Sequence, residues 1–234
     1  DVWLDKVAAL FKQNHGTRKA EMREVFQEMA DDFARVPTEK RLTYKVGIVG
    51  EIYVKYSPLG NNHLEEFLAS EGCEVCMPGL TGFIQYCVAN YGITTSLYGG
   101  NRAVKSVLEM ALRFINSRET VMRDAIAEKG LRAPGDFEHT IHLAERFIGL
   151  GAKMGEGWLL TGEMAELVES GFSNIVCAQP FGCLPNHVVG RGMIAKLRAA
   201  YPEANIVSVD YDPSATRVNQ ENRIKLMLAS AEKN

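Results

Sequence analysis

The chain has 234 residues, of which 46% are apolar and 24% are charged, the composition of an ordinary globular protein. This length allows one large domain or one domain with an appendage, and it suffices for a full core without metals or disulfides. The formal net charge of −3 and the lack of a basic run argue against nucleic acid or a membrane surface as a partner. No apolar stretch approaches the ~18 residues that a membrane span needs.

The N-terminal sequence DVWLD has neither an initiator Met nor the basic and apolar regions of a signal peptide. We therefore expect a piece of a longer chain, with partner domains elsewhere. The five cysteines are an odd number, and without an export signal they predict reduced thiols in a cytoplasmic protein.

The first predicted element is an amphipathic helix over residues 17–36, where apolar residues recur at helical spacing before Pro37. We interpret residues 1–42 as a helical arm and residues 43–234 as an α/β domain.

Four short apolar runs that are rich in β-branched residues predict buried parallel strands at residues 45–50, 73–77, 174–179 and 205–210. Helical patterns follow three of them, at residues 64–70, 188–200 and 216–229. Alternation of buried strands and helices predicts a short parallel sheet flanked by helices on both faces, a Rossmann-like or flavodoxin-like three-layer α/β fold.

Almost a hundred residues separate the second and third strands, with helical spacing over residues 104–115, 120–128 and 137–150. Because a crossover needs only one helix, we interpret residues from about 100 to 155 as a helical insertion. A glycine-rich stretch then leads into a helix that ends near residue 170.

The loops after the first, third and fourth strands are dense in polar, aromatic, Gly and Pro residues. Ligands of open parallel sheets bind beyond the carboxyl ends of the strands, so we expect these loops to form one cleft. The side chains predicted to converge there are Glu51, Tyr53, Asn61, Cys177, Gln179, Cys183 and Asp210. For Asp210 and Asp212 the alternative is that they cap the final helix.

The loop after the first strand contains no dinucleotide fingerprint, and the chain has no P-loop and no nucleophile elbow. Glu51, at the strand end, is interpreted as a general base, a ligand contact or an ion-pair partner of Lys55. The alternative is a loop salt bridge, with Asn61 capping the next helix.

Two cysteines lie in the loop region after the third strand. Cys177 ends the strand, and Cys183 precedes a helix whose first turn contains Pro185. A thiol at a helix N-terminus favours the thiolate, which ligates iron or zinc or acts as a nucleophile. The alternative is that both cysteines are small buried hydrophobes.

The other three cysteines are predicted to be structural. Cys73 and Cys76 lie within a predicted strand, where positions three apart point to opposite faces, which opposes chelation. Cys87 falls on an apolar helix face and is predicted to be in the core. His187 is interpreted as capping or orienting the Cys183 loop, or as packing there.

Four segments together resemble the 2-hydroxyacyl-CoA dehydratase component family, of the 2-hydroxyglutaryl-CoA dehydratase D-component type. They are GEIYVKYSPLGNNHLEEFL, GEGWLLTGEMAELVESG, CAQPFGCLPNHVVGRGMI and NIVSVDYDPSATRVNQENRIKLML. The resemblance covers roughly residues 43–230 and is closer to the C-terminal part of proteins described as acyl-CoA dehydratase activase-related.

The resemblance implies an anaerobic enzyme system in which cysteine thiolates hold a 4Fe-4S cluster. An ATP-dependent activator passes one electron to the cluster, which drives dehydration of a 2-hydroxyacyl-CoA, a lyase reaction. Carried onto this chain, it implies Cys177 and Cys183 as metal ligands, with Cys183 the first choice. We expect the isolated piece to be inactive and metal-free as purified in air, with the two thiols close together but not joined in a disulfide.

The remaining site residues are assigned on their position in these loops. Candidate catalytic residues are Glu51, Tyr53 and Lys55. Candidate substrate-binding residues are Asn61, Asn62, Gln179, Asn186, His187 and Asp210.

Three functions are compatible with these sequence features. The first is an iron-sulfur component of a CoA-ester dehydratase or reductase system, with an activator, other domains of the same chain and an acyl-CoA as partners. The second is a non-catalytic α/β binding or docking module of an activase-related protein, without its own cluster. The third is a metal-free binder of a small molecule that uses the loop from Glu51 to Asn62.

Overall fold

The computed structural model describes residues 2–39, 41–214 and 216–231. Four strands and ten α-helices are present in these ranges. The strands are β1 (Tyr44–Gly50), β2 (Cys73–Cys76), β3 (Asn174–Pro180) and β4 (Asn205–Tyr211). The helices are α1 (Val2–Lys12), α2 (Lys19–Ala34), α3 (Ile52–Tyr56), α4 (Leu64–Ser70), α5 (Leu80–Tyr98), α6 (Arg102–Ala127), α7 (Phe137–Glu145), α8 (Gly157–Glu169), α9 (Ile194–Ala200) and α10 (Arg217–Ala229).

The chain divides into two compact units. The first contains the described residues of 1–40 together with 101–134, and the second contains those of 41–100 and 135–234. The predicted arm and much of the predicted insertion therefore belong to the same unit.

The first unit pairs α2 with α6 through charged side chains near the C-terminus of α6. Glu128 accepts hydrogen bonds from Arg23 and from Gln27, the latter at 2.9 Å, and Lys129 lies 2.7 Å from Asp31. Residues 104–115 and 120–128, predicted as two helices, fall almost entirely within the single helix α6. No Gly or Pro interrupts the intervening residues, so nothing ends the helix there.

The second unit contains the predicted parallel sheet, with the strand order β2-β1-β3-β4 and all pairings parallel. Val46 pairs with Asn174 and Gly50 with Ala178, so the carboxyl ends of β1 and β3 lie side by side. The predicted α/β class and parallel sheet are confirmed.

Two cores cover the two faces of the sheet, because successive side chains of a strand point to opposite sides. On the first face, Ile175 and Cys177 of β3 pack with α8 residues such as Leu160. On the second face, Val176 of β3 packs with α4 and α10. Cys76 contacts the first core and Cys73 the second, which confirms that they point apart.

Three predicted helices have different boundaries in the structure. The helix expected over residues 137–150 ends at Glu145. The helix expected over residues 188–200 begins as a π-turn over Asn186–Gly190 and becomes regular only in α9. The last helix was expected over residues 216–229 and extends over Arg217–Ala229.

The prediction that Cys87 is a core residue is wrong, because this residue of α5 is exposed. The apolar stripe that suggested burial lies partly at the surface, where Ile84 and Tyr91 are also exposed. Within the described ranges, no helix is long and apolar enough to cross a membrane.

Candidate functional site at the carboxyl ends of the strands

The strand order creates a crevice between the carboxyl ends of β1 and β3. From β1 the chain crosses to β2 on one side, whereas β3 leads to β4 on the other, and ligands of open α/β sheets bind at such a reversal. The two backbones approach closely at Gly50, which has a φ of +147°. A Cβ at Gly50 would lie 1.8 Å from the Ala178 carbonyl oxygen, so only glycine fits this position.

Glu51 caps the short helix that follows β1. Its carboxylate accepts a hydrogen bond from the Val54 amide at 2.9 Å. The proposed ion pair between Glu51 and Lys55 is not formed, because Lys55 pairs with another carboxylate. Tyr53, the next candidate in this loop, has 62% of its surface exposed.

Lys55 forms a buried ion pair with Glu163 of α8. The ammonium nitrogen lies 3.2 Å from both carboxylate oxygens, and each side chain is 6% exposed. Burial raises the pKa of Glu163, and the Lys55 ammonium opposes that rise. Burial also disfavours the charge of Lys55, but the attraction of Glu163 outweighs it and raises the Lys55 pKa. The ion pair fixes α3, the short helix that follows β1, to α8, and it is shielded from solvent.

Asn61 holds the β1 loop together and is buried. Its amide nitrogen donates to the carbonyls of Val54 (2.8 Å) and Lys55 (3.3 Å), and its oxygen accepts from the Leu64 amide at 3.1 Å. Asn61 thus accepts from the first amide of α4, but the N-cap residue of that helix is His63, and the loop salt bridge of the same alternative is not formed. Asn62, the following residue, donates to Gln220 of α10 at 2.7 Å.

Three predicted residues meet at the carboxyl ends of β3 and β4, where Gln179 pairs with Asp210. The Gln179 amide nitrogen donates to Asp210 Oδ1 at 2.6 Å and lies 3.4 and 3.5 Å from the two His187 ring nitrogens. His187 Nε2 is 3.8 Å from Asp210 Oδ1. Gln179 Oε1 is buried and has no hydrogen-bond partner among the described residues.

Glu156 is a part of the site that the sequence interpretation missed. It is buried and accepts a hydrogen bond from the Ile52 amide at 2.9 Å. The Asn186 side-chain amide is oriented so that both of its polar atoms are hydrogen-bonded. The Asn186 nitrogen donates to Glu156 Oε2 at 2.8 Å, and the Asn186 oxygen accepts from the Glu51 amide at 3.0 Å. Asn186 thus joins the segments that follow β1 and β3, directly at the Glu51 amide and indirectly through Glu156.

Cys177 lies wholly inside the first core. The residue has 0% exposure, and burial raises the pKa of its thiol to about 12. A Cβ on Gly190 would approach the sulfur to 3.0 Å, so the thiol is covered closely by the helix that follows β3. It is therefore a neutral thiol without access to ligands.

Cys183 is partly exposed at the start of the helical segment that follows β3. Its amide donates to the Pro180 carbonyl at 3.2 Å, and its carbonyl accepts from the His187 amide at 3.0 Å. Neither Cys177 nor Cys183 forms a disulfide. In the part of the chain that the structure describes, no three His, Cys, Asp or Glu side chains are grouped to hold a metal ion.

The predicted site residues occupy different positions. Gln179, His187 and Asp210 contact one another, whereas Asn186 accepts from the Glu51 amide and donates to Glu156. Lys55 and Asn61 are buried in contacts with the protein, and Cys177 is buried in the core. Tyr53, Asn62 and Cys183 are at least partly exposed.

No family model matches the chain, and neither the curated proteins nor the solved structures include one that matches it significantly.

Proposed function

We propose that this chain is a component of a 2-hydroxyacyl-CoA dehydratase-like system that supplies Cys183 as one thiolate ligand of a 4Fe-4S cluster. The observation that carries the proposal is the position of Cys183, a partly exposed thiol at the start of a helix beside the β1–β3 crevice. The motif resemblance supplies the chemical class, since it includes the loop CAQPFGCLPNHVVG.

The donor set of this chain fits one cluster ligand and not a complete cluster. Such a cluster is usually held by four cysteine thiolates. Cys177 does not fit because its thiol is enclosed in the core. Further ligands come, in this proposal, from another domain or partner. When bound, the cluster supplies a one-electron redox centre.

The surroundings of Cys183 suit a surface that faces a partner. Phe181 and Leu184, which flank the cysteine, have 70% and 72% of their surface exposed, and Tyr53 of the neighbouring loop is also exposed. Large apolar and aromatic side chains at such positions favour contacts with another protein or domain. We assign this surface to the activator or to another domain.

His187 and Asp210 have a different role in the proposal. They lie beside the Cys183 loop and are fixed by Gln179. A histidine in this position can exchange a proton with an acyl substrate in the crevice, while Asp210 stabilises the protonated ring.

A second candidate function is a binding module without its own cluster. The burial of Cys177 favours it, because one accessible thiol at the crevice is less than a cluster requires. In this case Cys183 has no metal partner, and the crevice serves docking alone.

Anaerobic reconstitution with iron and sulfide, in the presence of a small dithiol, distinguishes the two functions. The dithiol provides the missing thiolates, so the chain binds iron if Cys183 is a ligand. We expect Cys183→Ser to lose most of the bound iron and the electron paramagnetic resonance signal of the reduced cluster. Cys87→Ser removes an exposed thiol from α5 and serves as the matched control, with unchanged iron. Equal iron in wild type and Cys183→Ser would exclude the first function and leave the binding module.

A further inference from the structure

The first unit buries little apolar surface. In the part of this unit that the structure describes, Ala30 of α2 and Ala125 of α6 are the two buried residues. Both cores of the sheet belong to the second unit. Helices in proteins gain most of their stability from packing of an apolar face, so a further helix placed on this unit would add burial that it lacks.

Helix α6 has an apolar stripe along its length, and part of this stripe is open. Val107, Phe114 and Ala125 lie in one narrow sector of the helix, because their spacings are close to whole turns of 3.6 residues. Ala125 is 0% exposed, whereas Val107 and Phe114 are 57% and 58% exposed. Met110, at the edge of the same face, is 60% exposed. The N-terminal half of the stripe is therefore uncovered.

Helix α2 packs at the C-terminal end of α6. Arg23, Gln27 and Asp31 lie on successive turns of α2, and their side chains all contact Glu128 or Lys129, directly after the end of α6. Helix α2 therefore crosses α6 at this end and does not run along it. It also shows what kind of helix α6 accepts, since α2 is amphipathic and has five acidic and two basic residues.

The open half of α6 has the opposite charge. Residues 102–118 include four basic residues and a single acidic one, Glu109, which pairs with Lys105 at 3.6 Å. The Arg118 guanidinium carbon lies 4.4 Å from the centre of the Phe114 ring, so positive charge directly borders the apolar stripe. An occupant of complementary charge is negative.

The charges disfavour two other occupants of this surface. A two-fold contact between copies of the chain uses the same patch on both copies and would bring the basic segment 102–118 against itself. An anionic lipid surface would attract this segment but repel the acidic helix α2, which belongs to the same unit. A single acidic helix can contact the segment alone.

We propose that the open half of α6 binds an acidic amphipathic helix of a partner protein or domain. The apolar residues of that helix pack on Val107, Met110 and Phe114, and its carboxylates pair with Arg113 and Arg118. This is recognition of a helix by its apolar face, with charge setting the choice of partner. The inference does not depend on Cys183 or on a cluster, because it concerns the first unit.

Fluorescence anisotropy of a labelled synthetic peptide with the α2 sequence, KAEMREVFQEMADDFA, tests the proposal on the full chain. We expect saturable binding with a dissociation constant on the order of 100 μM, a modest affinity because a free helix of this length must be ordered on binding. A control peptide with lysine at its five acidic positions should bind about tenfold more weakly. Equal binding of both peptides, or no binding of the acidic one up to about ten times that concentration of the chain, would overturn the proposal.

Three variants locate the binding site. Phe114→Ser and Met110→Ser each remove an exposed side chain and should weaken peptide binding about fivefold, with the circular dichroism spectrum unchanged. Leu226→Ser removes a leucine of α10 that is 73% exposed, and as the matched control it should bind as wild type does. Wild-type affinity in both α6 variants would show that the peptide replaces α2 at the other end of the helix and would refute the assignment. Cys183→Ser should bind the peptide normally, so failure here is distinct from failure of the cluster proposal.

Two further measurements address the disfavoured occupants. Phe114→Ser should leave the oligomeric state unchanged in analytical ultracentrifugation, and the chain should not float with vesicles of phosphatidylserine and phosphatidylcholine. A dimer that Phe114→Ser dissociates, or vesicle binding that Phe114→Ser abolishes, would overturn the proposal in favour of that occupant.

Discussion

The carboxyl edge of the sheet has a buried inner layer and an exposed rim, and their chemistry differs. The inner layer consists of Lys55, Glu156, Glu163 and Cys177, which are all less than a tenth exposed. The rim consists of Tyr53, Phe181, Cys183, His187 and Asp210, all at least partly exposed. Burial raises the pKa of Glu163 and of the Cys177 thiol, and the ammonium and carboxylates of the inner layer are bonded to the protein. The inner layer therefore positions the loops, whereas the rim is available for ligands.

The largest effect is expected at Gly50, where the inner layer begins. Gly50→Ala would place a Cβ 1.8 Å from a carbonyl oxygen and requires a backbone conformation that alanine avoids. We expect a loss of about 4 kcal/mol or more in the free energy of unfolding. Urea unfolding measures it.

Gly72→Ala is the matched control for Gly50→Ala. Gly72 also has a positive φ, of +78°, but a Cβ there meets nothing within 4 Å. Its loss should be about 1–2 kcal/mol. A similar loss at both positions would show that the close approach of β1 and β3 is unimportant.

The second-largest loss of stability is expected when the buried ion pair between Lys55 and Glu163 is broken. Lys55→Met leaves the Glu163 carboxylate buried without its partner, and we expect a loss of about 3 kcal/mol near pH 7. The double variant Lys55→Met/Glu163→Leu should recover most of this loss. If the double variant were no more stable than the single one, the loss would come from packing and not from an unpaired charge.

The loss in Lys55→Met should also depend on pH. Without Lys55, the folded-state pKa of Glu163 rises further above its unfolded value of about 4.3. The folded state then binds more protons, so stability falls as the pH rises through the interval between the two pKa values. The deficit relative to wild type should therefore be smallest below about pH 4 and grow toward neutral pH. Urea unfolding at a series of pH values tests this, and a constant deficit would contradict it.

The smallest effects separate the two cysteines. Cys177→Ala removes a buried sulfur from the first core and should cost about 1 kcal/mol of stability. Cys183→Ala removes a partly exposed side chain and should change stability by less than about 0.5 kcal/mol. Thermal unfolding compares them directly, and the reverse order would place Cys183 and not Cys177 in the inner layer.

Much of the fold could be predicted from the sequence because its strands are buried on both faces. Near-continuous apolar runs such as residues 174–179 are distinctive, and the parallel order follows from the helices between them. The helical region was harder, because an apolar stripe like that of α5 does not reveal whether it is covered. For this reason Cys87 was wrongly expected in the core.

The site was predicted only in part, and the errors have physical causes. Cys177 was expected at the end of its strand, but β3 continues to Pro180. Because every second side chain of a strand points to the same face, Cys177 lies with Ile175 in the first core. Glu163 was missed because it lies in the apolar helix α8, although a lone carboxylate there signals a buried partner. Glu156 lies in a turn between Gly155 and Gly157, which both have positive φ. Its hydrogen-bond partners, Ile52 and Asn186, are distant in sequence, so no local pattern identifies them.

Native-state thiol labelling tests the difference between the inner layer and the rim most directly. The folded chain is exposed to iodoacetamide, and modification at each cysteine is followed by mass spectrometry. We predict that Cys183 reacts without unfolding and that Cys177 reacts only at the rate of global unfolding, because its thiol is fully buried with a pKa of about 12. Modification of Cys177 at a rate similar to that of Cys183 would contradict the assignment of Cys183 as the accessible thiol of the site.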